Sequence, residues 1–174
     1  MHETPDDLAS LQRLLDESYA NAGSHLLSIH TPDRRMTASH LAATLTGVRV
    51  LSLATVNARG EPRVGPVDGL FYRGRFWFGS AQDSVRFRHI RARPAVSAAH
   101  TVGEELAVVV HGTAREIDVE ASDQRGFRDY LLEVYGAQWE AWWPDEKPPY
   151  AVIDAHKMFT FHMDARRPPT SGSG

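Results

Sequence analysis

Two kinds of hydrophobic spacing divide the chain. Up to residue 47 the apolar positions recur at helical intervals, and from residue 48 they alternate as they do along strands. Leu8, Leu11, Leu14 and Leu15 share one helical face. Thr4 precedes them as N-cap, Pro5 takes the first helical position, and Asp6 and Asp7 put negative charge in the first turn, where the helix dipole favours it. This predicts a helix ending near Gly23. A second, shorter helix is predicted from Thr37 to Leu45, capped by Thr37 and closed by Gly47, where it would cover one end of a barrel.

The strands begin with "VRVLSLATV" (48–56), followed by the turn "NARGEP" (57–62) and a second strand, "RVGPVDGLFY" (63–72), interrupted by glycines and a proline. Arg73-Gly74 makes a tight turn into "RFWFGS" (75–80), while "AVSAAH" (95–100) and "ELAVVVHGTAREID" (105–118) read as strands four and five. Phe127, Tyr130, Leu131 and Val134 predict a helix within residues 118–139, and "KMFTFHM" (157–163) alternates as a last strand. Short strands joined by short turns favour an antiparallel sheet that curls into a barrel. The expected organisation is a single domain over 1–164, mainly β with flanking helices and an N-terminal helical extension (1–47). A tail over 165–174, "RRPPTSGSG" at its core, is polar enough to be disordered.

Composition then narrows the function. The 174 residues carry a net charge of −3, with 42% hydrophobic and 24% charged positions, as in an ordinary globular chain. A mildly acidic chain argues against a general nucleic-acid binder, and no apolar run approaches the roughly 20 residues that cross a bilayer. With no cysteine there is no disulfide framework, thiol nucleophile or cysteine metal site, and the N-terminus lacks the pattern of a signal peptide; a cytoplasmic location is expected. His25, His30, His40, His100, His111, His156 and His162 are scattered without metal-ligand spacing.

Against that background "SAQDSVRFRHIRARP" (80–94) stands out, because five basic residues crowd behind two serines. Asp83 or Ser84 can cap a helix that Pro94 stops, with Phe87 and Ile90 toward the sheet and Arg86, His89 and Arg93 on another face. Either this is a solvated charged helix or it is a seat for an anion. Free N–H groups at the helix start, the hydroxyls of Ser80 and Ser84, and the planar fork of Arg86 suit phosphate oxygens, and Arg63 reaches the same point if its strand pairs with the next.

The pattern resembles the pyridoxamine-phosphate-oxidase-like family of FMN-binding split barrels, which includes flavin and deazaflavin oxidoreductases. The resemblance rests on Thr55, Asn57, Gly60, Pro62, Pro66 and Val67 in one motif and on Ser84, Arg86, Ile90 and Pro94 in the next, whereas His89 and Arg93 depart from the family's usual residues. It covers Val48 to about Asp118, and "YAVIDAHKMFTF" more loosely. It implies a split barrel whose cofactor phosphate is held by Arg63, Ser80, Ser84 and Arg86. The main chain of Val64, Gly65, Pro66, Val67 and Gly79 would lie along the ring, and the missing side chains of Gly65 and Gly79 would let it approach. It also implies a homodimer with the cofactor in a groove between subunits and hydride transfer to or from a small-molecule substrate, with no catalytic side chain assigned. The aromatic loop 142–150 either walls the partner's site or covers core.

FMN, with its single phosphate, is the expected cofactor. The alternative is the deazaflavin coenzyme F-420, whose longer and more acidic tail could be accompanied by Arg59, Arg88 or Arg91. A further alternative is a non-catalytic flavin or haem-binding stress protein, for which His111 or His162 would be candidate ligands. A true pyridoxamine phosphate oxidase is not expected, because "TFHMDARRPPTSGSG" lacks the C-terminal segment that binds its substrate.

Overall fold

A computed structural model describes residues 2–142 and 147–163. The six strands are β1 (Val48–Val56), β2 (Pro62–Tyr72), β3 (Arg75–Gly79), β4 (Ala95–Val102), β5 (Leu106–Ile117) and β6 (Tyr150–His162). They close into one antiparallel barrel in the order β1-β2-β3-β6-β5-β4. The expected tail and residues 143–146 of the aromatic loop lie outside the described residues.

The barrel lumen is filled by alternate side chains, among them Leu51, Leu53, Phe76, Phe78, Val108 and Val110. Helix α1 (Pro5–Ala20) starts where its sequence predicts: Thr4 and Asp7 form a capping box, with the Asp7 N–H donating to Thr4 Oγ1 at 3.2 Å and the Thr4 N–H to Asp7 Oδ2 at 2.9 Å. The short α2 (Ser24–Ile29) and a 3-10 turn at Pro32–Arg34 follow, neither signalled by hydrophobic periodicity. Then comes α3 (Ala38–Thr44), capped by Thr37. Leu11, Leu15, Leu41 and Leu45 from α1, α3 and the α3 C-cap join the luminal core. At the other end of the barrel, α4 (Val85–Ala92) inserts Phe87 and Ile90, both fully buried, which contribute about 2 kcal/mol each by burial.

Two departures from the predicted elements have identifiable causes. The helix expected within 118–139 is divided into a 3-10 turn at Ser122–Gln124, α5 (Arg125–Tyr135) and α6 (Gln138–Ala141). Gly136, at φ +73°, ends α5 in a conformation that side-chain-bearing residues resist. The last strand starts at Tyr150 rather than Lys157, because its first residues pair with both β3 and β5 and are buried on both faces, so no alternation marks them. A second core outside the barrel covers that region. There Leu70, Trp77, Tyr150 and Val152 meet Phe127, Tyr130 and Leu131 of α5, with Trp139 of α6.

β3 pairs with β6 only across Tyr150–Val152, so the rest of that β6 edge needs other acceptors. Helix α1 supplies them. Met158 N–H donates to Ser18 Oγ at 2.9 Å, and Thr160 N–H donates to the Tyr19 hydroxyl at 2.9 Å, which in turn donates to Thr160 O at 2.6 Å. Ser18 Oγ itself donates to Leu14 O at 2.6 Å. Side chains of a helix thus finish a strand edge that would otherwise remain open.

Tyr19→Phe should therefore lower stability by about 1–3 kcal/mol in urea unfolding, since it leaves the buried Thr160 N–H without its acceptor. Thr160 O keeps its 2.9 Å contact with His30 Nδ1. An unchanged unfolding midpoint would show the edge to be satisfied otherwise. Gly79→Ala places a methyl 2.9 Å from Tyr150 Cε1 and should cost about 1–3 kcal/mol in the same assay.

Candidate functional site

β3 ends at Gly79, and the Ser80 N–H extends the ladder by donating to Pro149 O at 3.3 Å. The chain then turns through Ala81–Asp83 into α4. Ser84 caps this helix: its Oγ accepts the Phe87 N–H at 3.2 Å, and its own N–H donates to Ala81 O at 3.0 Å. The N–H groups of Val85 and Arg86 keep no acceptor within the helix. Phe87 and Ile90 plug the barrel, which fixes the azimuth of the helix and turns Arg86 back toward β2.

Arg86 lies across the gap between β2 and β3. Its Nη1 donates to Ser80 Oγ at 3.2 Å and its Nη2 to Pro66 O at 2.8 Å. Nη2 also sits 3.5 Å from where a Cβ on Gly65 would stand, an ordinary contact, so the guanidinium lies against this stretch of β2. Among the described residues no carboxylate forms an ion pair with Arg86. Burial pushes its guanidinium down from the ordinary arginine range, with no counter-charge to offset it. It nevertheless stays protonated. The result is a half-buried positive charge whose nearest partners are a hydroxyl and a carbonyl oxygen.

Ser80, Ser84, Arg86, Gly65 and Pro66 are thus brought together at one barrel end. Arg63 is on the same strand and the same side as Gly65, but its Nη2 donates to Glu61 Oε2 at 2.8 Å instead of facing Arg86. Glu61 is held from behind by Asn57 Nδ2 at 2.7 Å and from the side by Arg59 Nε at 3.2 Å. Hydrogen bonds from Asn57 and then Arg59, with the charge of Arg63, hold its carboxyl below the usual range. Val64 and Pro66 point out of the barrel and are exposed, whereas Val67 belongs to the luminal core. At Gly79 the direction of the missing side chain is taken by the Tyr150 ring, so this glycine serves packing on that side, not a bare approach to the main chain.

Several contacts in this arrangement were not expected from sequence. His89, which replaces an amide in the family motif, shares a 2.9 Å hydrogen bond between its Nδ1 and Thr55 Oγ1 and so clamps α4 to β1. Its place on the Arg86 face of the helix was read from sequence, whereas its pairing with Thr55, 34 residues away, was not. Glu61 and Arg63 lie two apart on an extended segment and so share a face, which was also legible. Glu116, which receives a two-pronged contact from Arg91 at 2.8 and 2.7 Å, is 25 residues away and carried no signal. In the aromatic loop, Tyr150 is buried against Trp139, whose Nε1–H donates to the Tyr150 hydroxyl at 3.0 Å, while Trp142 is exposed and packs edge-on against Tyr135. Burial, followed by the charges of Tyr150 and Asp68, pushes the Tyr135 hydroxyl up to about 12.

Two further sequence readings meet the geometry here. Arg59 and Arg91 are engaged by Glu61 and Glu116. His111 Nδ1 shares a 2.7 Å hydrogen bond with Ser97 Oγ, and His162 packs edge-on against His40. No group of three or more His, Cys, Asp or Glu with metal-binding geometry occurs among the described residues, and none of their helices is long and apolar enough to cross a membrane.

Comparison with known proteins places this architecture. The conserved hypothetical protein Rv2991 from Mycobacterium tuberculosis superposes with a TM-score of 0.63 at 17% identity, over 82% of this chain and 98% of that one. An FAD-binding protein (mll6688) from Mesorhizobium loti gives 0.57 at 22% identity, over 75% and 98%. The haem storage protein HutZ from Vibrio cholerae gives 0.56 at 15% identity, over 65% and 86%. At these identities the likeness is one of fold. No curated protein matches the sequence. The family model described as pyridoxamine 5'-phosphate oxidase matches residues 37–161, which span α3, all six strands and the Arg86 seat, and the chain belongs to that family.

Proposed function

We propose that the protein binds a flavin, FMN, by its phosphate at the Arg86 seat and acts as an oxidoreductase on a small-molecule substrate. The observation that carries this reading is the half-buried guanidinium of Arg86, fixed by Ser80 and Pro66 and lacking a carboxylate. A guanidinium in that setting is stabilised by an arriving anion, and a phosphate also meets the Ser80 hydroxyl and the free N–H groups at the start of α4. Membership of the family and the FAD-binding structural neighbour support a flavin.

The residues present fit such a group. Ser80, Ser84, Arg86 and the start of α4 would hold the phosphate, and Arg63 would join them by swinging two residues along its strand from Glu61. The exposed main chain of Val64 to Pro66 offers a surface for the ring. The bound flavin supplies the hydride chemistry, so the protein's part is to bind, orient and exclude water. His89, through Thr55, keeps α4 in register with β1 and thereby keeps Arg86 in place.

The same reading includes a homodimer. Val50 and Val64 lie on the outer face of β1 and β2, at 55% and 70% exposure, next to the seat. A second copy covering them would bury apolar surface and enclose the groove. Deazaflavin coenzyme F-420 remains the alternative cofactor, since the seat accepts any phosphate. Haem storage in the neighbour HutZ supports a third reading, a non-catalytic binder, which the absorption spectrum of the purified protein separates from a flavoprotein.

Arg86→Ala should weaken FMN binding by about tenfold or more in a fluorescence titration, the worth of a charge-assisted hydrogen bond. Arg91→Ala, whose side chain is already satisfied by Glu116, should change it less than about threefold. Equal losses in the two variants would remove the phosphate from this seat. The affinity should also depend on pH through the ligand. A phosphate monoester loses its second negative charge below about pH 6, so FMN should bind more weakly at pH 5 than at pH 7.5, while riboflavin, which has no phosphate, stays constant.

A further inference from the structure

A second cleft, which the flavin reading does not use, opens where β3 and β6 part. These strands pair only over Trp77–Gly79, so Arg75 and the Arg73-Gly74 turn diverge from β6 and α1 crosses the gap. The cleft left between them measures about 440 Å³, a size typical of small-molecule sites. Leu11 and Leu14 of α1 and Ala155 of β6 give it an apolar floor. Arg73 and Arg75 line its sides together with Asp7 and Asp154. It lies away from the Arg86 seat, since four residues of β3, about 13 Å of strand, separate Arg75 from Gly79.

Positive charge exceeds negative charge here by one. Asp154 is divided between two guanidinium groups: Arg75 Nη1 donates to its Oδ1 and Arg115 Nε to its Oδ2, both at 3.1 Å. Asp7 is shared as well. The Oδ2 that accepts Arg73 Nε at 3.0 Å also accepts the N–H and the hydroxyl of Thr4, at the cap of α1. Three arginines thus face two carboxylates. Arg115 grips Asp154 from outside the cleft, which leaves Arg75 able to take a further anion. Arg75 is kept at the cleft wall by the buried Trp77, whose ring centroid is 5.6 Å from its guanidinium carbon.

The backbone of Arg73 is an independent sign. Its φ of +50° is left-handed, and among the described residues no other non-glycine residue adopts such a value. Two-residue hairpin turns of this kind favour Asn-Gly, because asparagine takes the first position with less strain. Strain of this sort persists where the side chain is needed. The ion pair with Asp7 is a poor reason to keep it, because partly exposed pairs contribute little to stability.

We propose that this cleft binds a small organic acid, its carboxylate held by Arg75 and Arg73 and its apolar body laid on Leu11, Leu14 and Ala155. The carboxylate gains charge-assisted hydrogen bonds and offsets the excess positive charge. The apolar body leaves water against the leucines. An inorganic anion gains only the first of these, and a neutral amide only the second. The site stands apart from the flavin reading and holds whichever cofactor occupies the Arg86 seat.

The test titrates 2-naphthoate, and separately its neutral counterpart 2-naphthamide, into the full chain and follows the backbone amide NMR signals of Gly74, Arg75 and Ala155. Naphthoate should shift these signals to saturation while those of Gly65, Ser80 and Ser84 stay in place. Naphthamide should bind about fivefold or more weakly, as should naphthoate to Arg75→Gln, for loss of a charge-assisted hydrogen bond. Asp154→Asn leaves Arg75 without its carboxylate and should tighten naphthoate about threefold. Arg73→Asn should weaken naphthoate about threefold while its thermal midpoint holds or rises, which a merely structural arginine would not give. No saturable shift at Gly74, Arg75 and Ala155, or shifts at Ser80 and Ser84 in their place, overturns the site. Naphthamide binding as tightly as naphthoate, or an affinity unchanged in Arg75→Gln, overturns recognition of the acid.

Discussion

The third strand stops at Gly79 after five residues while β6 runs for thirteen, so a barrel closed by these two strands keeps backbone donors that no strand can receive. Buried N–H groups cannot be left unpaired without a cost of about 1–3 kcal/mol each, and one segment answers that need. Helix α1 brings Ser18 and Tyr19 to Met158 and Thr160, which finishes the long edge of β6. At the opposite end, the chain leaving β3 crosses to β4 through α4, whose Phe87 and Ile90 close the lumen. The shortness of β3 thus calls for the helical cover of β6, and α4, inserted where the chain leaves β3, carries the candidate site.

What makes α4 a site and not merely a plug is a division of labour on its surface. The apolar pair is buried, His89 is tied to Thr55, and Arg91 is neutralised by Glu116, so each of those side chains is already satisfied. Arg86 alone is drawn into a half-buried position with only neutral oxygens beside it. A charge in such surroundings gains from an anion far more than an exposed one does, because low local dielectric strengthens the attraction. The same reasoning separates the helix's arginines, which composition treats as alike.

The glycines illustrate how similar sequence features acquire different uses. Gly79 makes space for the Tyr150 ring of the outer core, where a Cβ would stand 2.9 Å from Cε1, whereas at Gly65 a Cβ would meet only Arg86 Nη2 at an ordinary 3.5 Å. Both were expected to admit a flat ligand, and the pairing of β3 with β6 shows that the space beside Gly79 is taken by the Tyr150 ring. Covering of the outer face by α5 and α6 leaves the stretch around Val64 and Pro66 as the open part of β2, beside the seat.

The chain's own letters determined much of this protein. Capping by Thr4, Thr37 and Ser84, the hairpin at Arg73-Gly74, the alternation of β1 and β5 and the burial of Phe87 and Ile90 are local events, governed by periodicity and by the chemistry of helix ends. They were legible because each depends on residues within one or two turns of one another. The motif around Ser84 and Arg86 was legible for the same reason. Tertiary structure alone decided which charges are compensated: Glu116 reaches Arg91 across 25 positions, and α1 meets β6 across about 140. It also decided that β6 begins at Tyr150, since a strand buried on both faces has no polar alternation to betray it. Pairings between distant segments follow from how the barrel closes, and closure is a property of all six strands together.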